Sequence, residues 1–579
     1  MAQRYLVTAG LPYSNGRLHV GHIAGAYLPA DTYVRYRRAC GDDVRFICGS
    51  DDNGVAALLA ARREGTTVEK LTARYNARQA ADFAGLGIEF DIYGGTHQPG
   101  FVERHVQLSQ EMFRRIHEKG YFAKRSERQL YDAEAGQFLP DRYVQGRCYH
   151  KLADGSPCGS PSAYGDQCES CGNAIDPLLL VEPRSVITGA RPEPRETTHW
   201  YLRLDRFQEP LRAWLEAKRS PADGSPKWRE HVLNFSLGQI KQGLPERAMT
   251  RDLDWGVPAP LDDPDAAGKV LYVWFDAPIG YVSFTARLCE QETGDWRAYE
   301  RWWKSQDTRI VHFIGEDNTI FHALIWPAML MAEGSYQLPW QVVVNAFLNI
   351  KFPGQDEEKI SKSRGTAVWI EDYLKQHDPD PLRYYLTAIA PENSRTAFDF
   401  EDFVNRNNAE LVAAFGNFVN RTLQFASKYF ENRVPDRTAQ SAADRAHLAA
   451  GADMLRKVGE QLDAFRFKAG LEEMMSYARA SNLHFSNRAP WASRKSDLAD
   501  CAAAIATCID ATHLLAIAAA PFLPATARRM LAMLGLAEGE IRWAEPEPPP
   551  PGHALGAIEP LVRKLEPAAA VEAPAETRD

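Results

Sequence analysis

Nowhere in its 579 residues does this chain carry an uninterrupted apolar run long enough to cross a bilayer. The longest candidate, 502–520, is interrupted by Asp510, Thr512 and His513 and reads as a buried helix. The first residues lack the basic region, apolar core and cleavage pattern of a signal peptide, so a cytoplasmic protein with no membrane partner is expected. Excess positive charge is missing too. With 67 Lys and Arg against 76 Asp and Glu, the net charge is −9, which leaves any nucleic-acid contact to local patches. No internal repeat is visible. Five of the nine cysteines (Cys40, Cys48, Cys289, Cys501, Cys508) are scattered through apolar or helical contexts as reduced core residues, which argues against a disulfide framework.

The other four cysteines cluster. Cys168 and Cys171 have the two-residue spacing of a zinc knuckle half. Cys148 and Cys158 do not, since nine residues separate them, and His150 is an alternative ligand. One structural zinc per chain, on Cys148, Cys158, Cys168 and Cys171, is the expectation; a differently completed site is the alternative. Residues 120–245, which hold this cluster with many Gly and Pro turns, read as an insertion into an α/β domain.

That domain is announced by 5–22. Tyr5-Leu6-Val7 reads as a buried strand, Gly10, Pro12, Asn15 and Gly16 as a loop, and His19-Val20-Gly21-His22 as a helix start. A strand, a loop and a helix N-terminus can present backbone N–H groups to a phosphate. His19 and His22 share one face, and Gly21 leaves room for a flat ligand; simple capping or packing is the bland alternative. A second strand, 43–48, leads to a loop at 49–54, where Asp51 can meet a cationic group or cap the next helix. Strands are further expected at 270–275, 310–314 and 342–344. Trp274, Tyr281, Ile325 and Trp326 suit the walls of a small apolar pocket or a plain core, and Asp317 suits a ribose contact. Lys359-Ile360-Ser361-Lys362-Ser363-Arg364-Gly365 suits a loop over a polyphosphate, its alternative being a solvated charge run. Beyond Asp399 long helical patterns follow at 402–430, 444–482, 497–520 and 524–536, and a Pro-, Ala- and Glu-rich end expected to be disordered or to hug the surface.

H-V-G-H and K-I-S-K-S, in this order and about 340 residues apart, resemble the paired signatures of class I aminoacyl-tRNA synthetases. A9–Y13 (AGLPY), VWFDAPIGY at 273–281, HFIGEDN and FHALIWPAML within 312–330, the knuckle insertion, GNFVNR at 416–421 and Pro490-Trp491 resemble the methionyl-tRNA synthetase family, over residues 4 to about 540. The resemblance implies an α/β fold: a Rossmann-like parallel-sheet catalytic domain, an inserted zinc-knuckle connective subdomain and an α-helical anticodon-binding bundle. The corresponding boundaries are 1–119 and 246–340 for the catalytic halves, 120–245 for the insertion, 341–400 for the lysine-loop and stem-contact region, 401–545 for the bundle and 546–579 for the tail.

It also implies ATP-dependent formation of methionyl-adenylate and transfer to initiator and elongator tRNA(Met). His19, His22, Lys359 and Lys362 are the implied catalytic residues; Asn15, Gly21, Asp317 and Lys362 would bind ATP, with Mg2+. Leu11, Tyr13, Asp51, Trp274, Ala277, Pro278, Tyr281, His322 and Ile325 would bind L-methionine, with Asp51 on the ammonium and Tyr281 on the sulfur. Asn417, Arg421 and Trp491 would read the anticodon, and a monomer is the simplest assembly. Synthetases for leucine, isoleucine or valine carry a far larger editing insertion than the roughly 125 residues here. A cysteine-specific enzyme would place a metal-binding cysteine in the amino-acid pocket, and a non-catalytic RNA-binding relative would have no need of both intact signatures.

Overall fold

In the computed structural model the described residues are all except 1, 141–142, 153–154, 166–167, 169, 172, 174, 353–356, 361–366, 538–540 and 567–579. Five parallel strands form the central sheet: β1 (Arg4–Ala9), β2 (Asp43–Ser50), β3 (Ile92–Gly95), β4 (Thr308–Gly315) and β5 (Gln341–Asn345), in the order β5-β4-β1-β2-β3. β1 lies at the centre, with Leu6 and Val7 fully buried, as a strand covered on both faces requires. The order reverses between β1 and β4, so the loops after these two strands flank the crevice where such sheets bind ligands.

The run Val270–Phe275 is not a strand. The strand stops at Val270–Leu271, and a helix, α2 (Val273–Thr293), begins two residues on. The cause is burial on every side: from Phe275 to Ala286 each residue of α2 is buried, so the helix has no polar stripe to betray its period. A second helix, α1 (Val68–Gly85), covers the other flank of the crevice.

The insertion is built on a long antiparallel pair, Phe122–Asp132 with Glu193–Leu202, and carries helices at Gln208–Arg219 and Glu230–Gln242. Its distal lobe has a small core in which Cys148 and Cys168 pack with Leu130, Leu139, Tyr143 and Val144. The C-terminal helices are α3 (Asn417–Tyr429), α4 (Ala442–Asp463), α5 (Phe467–Arg488) and α6 (Leu498–Ala519). The expected single run 444–482 is two helices, α4 and α5, broken at Phe465, whose φ is 56°. Tertiary contacts hold the break: the Arg229 guanidinium donates to the Phe465 carbonyl (2.9 Å), and the Phe465 ring packs on Tyr33. α6 is long and apolar enough to cross a membrane, but it is the buried centre of the bundle. In the tail, 546–566 hug the bundle: Leu561 is fully buried, and Leu565 N–H donates to the Asn408 side chain (2.9 Å).

Candidate active site

The loop after β1 is fastened to its neighbours through its backbone. Gly10 N–H donates to Phe313 O, Asp51 N–H to Pro12 O and Ser14 N–H to Asp51 O, at 2.9–3.1 Å. The loops after β1, β2 and β4 thereby open into one cleft of about 500 Å³. Of the implied substrate-binding residues, Leu11, Tyr13, Asn15, His19, Gly21, His22, Asp51, Trp274, Ala277, Pro278, Tyr281, Asp317 and His322 all line it.

The two histidines cap their own helix turn. His19 Nδ1 accepts the Gly21 N–H (3.1 Å), His22 Nδ1 accepts the His19 N–H (3.2 Å), and the rings stack with centroids 3.7 Å apart. With Nδ1 accepting in both, the proton of each neutral ring is assigned to Nε2, making each an N–H donor at the cleft. Gly21 also leaves room for the protein's own side chains. A Cβ there would sit 3.0 Å from the His19 ring and 3.1 Å from Ile360, tighter than ordinary van der Waals contact, on a residue that also lines the cleft.

Asp51 is 3% exposed, and its Oδ1 is buried with no hydrogen-bond partner among the described residues. Burial, with Asp276 and Asp52 nearby, pushes its carboxyl well above the usual range. The Asn53 backbone N–H eases ionisation of the group but leaves Oδ1 unmet, and a buried carboxylate oxygen in that state calls for a cation from the cleft. Asn53 on the same loop donates to Asp276 (2.7 Å), which also faces His105 (3.2 Å), tying this loop to the first turn of α2.

The apolar end of the cleft is aromatic. Trp274 stacks on Phe321 with centroids 3.7 Å apart and meets Tyr13 edge-on at 6.3 Å. Burial holds His322 neutral, its pKa pushed down to about 4. Its Nδ1 faces the Asn318 carbonyl (3.2 Å) and therefore carries the proton, so Nε2 accepts from the Tyr281 hydroxyl (2.9 Å). The Tyr281 proton is thus directed at His322, and its oxygen presents lone pairs elsewhere. Ile325 packs in the same hydrophobic core as Tyr281 and Trp326 but, unlike them, is not among the residues that line the cleft. The segment Phe321–Ile325 is a π-turn, whose wider pitch brings Phe321, His322 and Trp326 to the cleft and carries Ile325 away. Phe321, which the sequence reading did not name, joins the cleft wall.

Lys359 lies on a short strand paired with Asn349; Lys362 lies outside the described residues. The segment after that loop is seated on the histidine motif, with Val20 N–H donating to Val368 O (3.1 Å) and Ile370 N–H to Leu18 O (3.1 Å).

Two further clusters stand apart. The four cysteine sulfurs lie within 4.8 Å of one another, with Cys148–Cys171 and Cys158–Cys168 each 3.8 Å apart. Metal–sulfur bonds of about 2.3 Å in a tetrahedron put sulfurs about 3.8 Å apart, so this set can hold a metal ion such as zinc. The long Cys148–Cys158 spacing is absorbed by a small hairpin, closed by Cys158 N–H to His150 O (2.8 Å), and His150 is not one of the four converging ligands. On the bundle, Asn417 and Arg421 share a face of α3. Arg421 stacks on Phe485 at 3.9 Å and donates to Asn482 (3.0 Å), while Trp491, 50% exposed, lies 6.2 Å from the same Phe485 ring. Phe485, which joins them, carries no sequence signal beyond a helical apolar position.

Residues 5–423 match the family model described as tRNA synthetases class I (M), and 434–572 match that of the anticodon binding domain of methionyl tRNA ligase. The chain is 43% identical over 568 residues to a methionine–tRNA ligase of Porphyromonas gingivalis, and 42% identical over 569 residues to one of Bacteroides fragilis. Each alignment covers 97% of this chain and 79% of the relative. Its fold superposes with a TM-score of 0.77, at 26% identity, on Mycobacterium tuberculosis methionyl-tRNA synthetase in complex with methionyl-adenylate, covering 97% of this chain and 99% of that one. The chain belongs to the methionyl-tRNA synthetase family of the class I tRNA synthetases.

Proposed function

We propose that this chain ligates L-methionine to tRNA(Met), initiator and elongator, through methionyl-adenylate, with release of pyrophosphate and AMP. The observation that carries this reading is the buried Asp51 Oδ1, without a hydrogen-bond partner among the described residues, on the same cleft as the His19–His22 pair. Asp51 holds the methionine ammonium, and Trp274, Phe321, Tyr13, Ala277 and Pro278 enclose the side chain, whose thioether is suited to aromatic walls. The carboxylate is thereby aimed at the α-phosphate of ATP. As it attacks, negative charge grows on the phosphate oxygens, where the Nε2–H groups of His19 and His22 donate to them. Asp317 and Asn15 orient the nucleotide, and Lys359 and Lys362 neutralise the departing pyrophosphate. No covalent enzyme intermediate is needed, because positioning and charge stabilisation suffice.

Mg2+ accompanies ATP as the counter-ion of its phosphates. Zinc, held by Cys148, Cys158, Cys168 and Cys171, supplies structure rather than chemistry, because the lobe around it has little core of its own. Asn417, Arg421, Phe485 and Trp491 stack on and hydrogen-bond the splayed anticodon bases. The protein acts in the cytoplasm as a monomer. Charging assays on tRNA transcripts test the reading: methionine is joined to a transcript with a CAU anticodon and poorly to one with that anticodon replaced. Equal charging of both contradicts it.

A further inference from the structure

Gln79 is 1% exposed, projects from α1 and lines the cleft, yet it belongs to neither signature of the sequence. Its amide Nε2 donates to two carbonyls three residues apart, Tyr13 O (2.9 Å) and Gly16 O (3.0 Å), and its Oε1 accepts from the Tyr93 hydroxyl (3.1 Å). The assignment is forced: a flipped amide would set its oxygen against two carbonyl oxygens. Only a primary amide offers two donors on one atom together with an acceptor on the next.

The segment so gripped is short and doubly employed. Leu11, Tyr13, Asn15 and His19 all line the cleft, and on the reading above the first two serve methionine and the last two the nucleotide. Other bonds hold the near side of the loop, where Ser14 N–H and Asp51 N–H exchange with Asp51 O and Pro12 O. Gln79 grips the far side. We infer that Gln79 is a positioning residue for adenylate formation: by clamping the Tyr13 and Gly16 carbonyls it fixes the relative placement of the two substrates. This rests on the methionine-activation reading above.

Two variants separate the clamp from mere structure. Gln79→Met keeps the size and cannot donate at any pH. Gln79→Glu turns a carboxylate toward two carbonyls, but regains one donor when protonated. With methionine-dependent ATP–pyrophosphate exchange as the assay, loss of the two bonds raises the KM for methionine and the KM for ATP together, each about tenfold or more. A merely structural role lowers the active-site titre and leaves both KM values unmoved. Other titratable and charged groups lie in this region: Asp51, His19, His22 and Arg17 line the cleft, Tyr93 touches Gln79, and Asp82 on the same helix sits among Arg17, Arg78, Glu371 and Asp372. Each variant's pH profile is therefore divided by that of the wild type. In that ratio Gln79→Glu recovers as pH falls from 8 to 6, and Gln79→Met stays flat. KM values for both substrates within twofold of wild type, or a rise in only one of them, overturn the clamp while leaving the functional reading intact. Wild-type protein that shows no methionine-dependent exchange overturns the functional reading, and the clamp's role with it.

Discussion

Replacing Asp51 by Asn removes a charge while keeping the shape, and its two consequences run in opposite directions. The carboxylate is buried, its Oδ1 has no partner among the described residues, and Asp276 and Asp52 lie close enough to resist its ionisation. The folded state therefore binds the Asp51 proton more tightly than the unfolded chain, and ionised Asp51 opposes folding at every pH above about 4, the unfolded pKa. Asp51→Asn abolishes that penalty. Its melting temperature exceeds that of the wild type at pH 7, and the difference shrinks as pH falls toward about 4. Activity moves the other way. Losing one partner of a buried, hydrogen-bonded charge pair costs about 2–5 kcal/mol, which is about 30-fold to a few thousandfold in kcat/KM for methionine. The KM for ATP stays within about twofold, since the phosphate end of the cleft is untouched. Thermal melting from pH 4 to 8 and pyrophosphate-exchange kinetics read both effects. A variant that melts below the wild type at pH 7, or that keeps its methionine KM, refutes the assignment of Asp51 as the ammonium's partner.

Other outcomes follow from the same structure. Burial pushes His322, His447 and His513 each down to about 4, so the folded state holds them neutral where the unfolded chain takes up protons. Stability is unaffected by them above about pH 6.5 and falls as pH drops from there toward 4, by at most about 1.4 kcal/mol per pH unit for each histidine. His513, whose two ring nitrogens have no partner among the described residues, makes the cleanest test: His513→Leu flattens the melting-temperature slope between pH 6.5 and 5. Phe485→Ala, which removes the ring beneath Arg421 and beside Trp491, raises the KM for tRNA about tenfold or more and leaves methionine-dependent exchange unchanged. Cys168→Ser abolishes stoichiometric zinc, measured by metal analysis, and makes the lobe at 143–185 the first site of proteolysis.

What the sequence disclosed and what it hid divide along physical lines. β1, its loop and the histidine turn were legible because a two-sided buried strand, turn residues and a helix start are local signals. The Asp51 loop was legible for the same reason. Helix α2 was misread because complete burial erases the polar stripe by which a helix is told from a strand. Phe321 was missed as a cleft residue because nothing in Phe321–Ile325 records that the segment is a π-turn rather than α-helical. The break at Phe465 depends on Arg229, 236 positions away in the chain, and so is invisible to any local reading. The cysteine set was legible as chemistry but not as geometry: only the hairpin at 148–158 shows how a nine-residue gap closes on a tetrahedron. Gln79 and Phe485 gave no signal at all, because each acts through a contact that exists only once the chain is folded.

Methionine activation is tested most directly by ATP–pyrophosphate exchange measured with each of the twenty amino acids in turn, on the wild type and on Lys362→Ala. Exchange that depends on methionine and collapses in Lys362→Ala is the expected result. Exchange driven by leucine, isoleucine, valine or cysteine, or by none of the twenty, contradicts it.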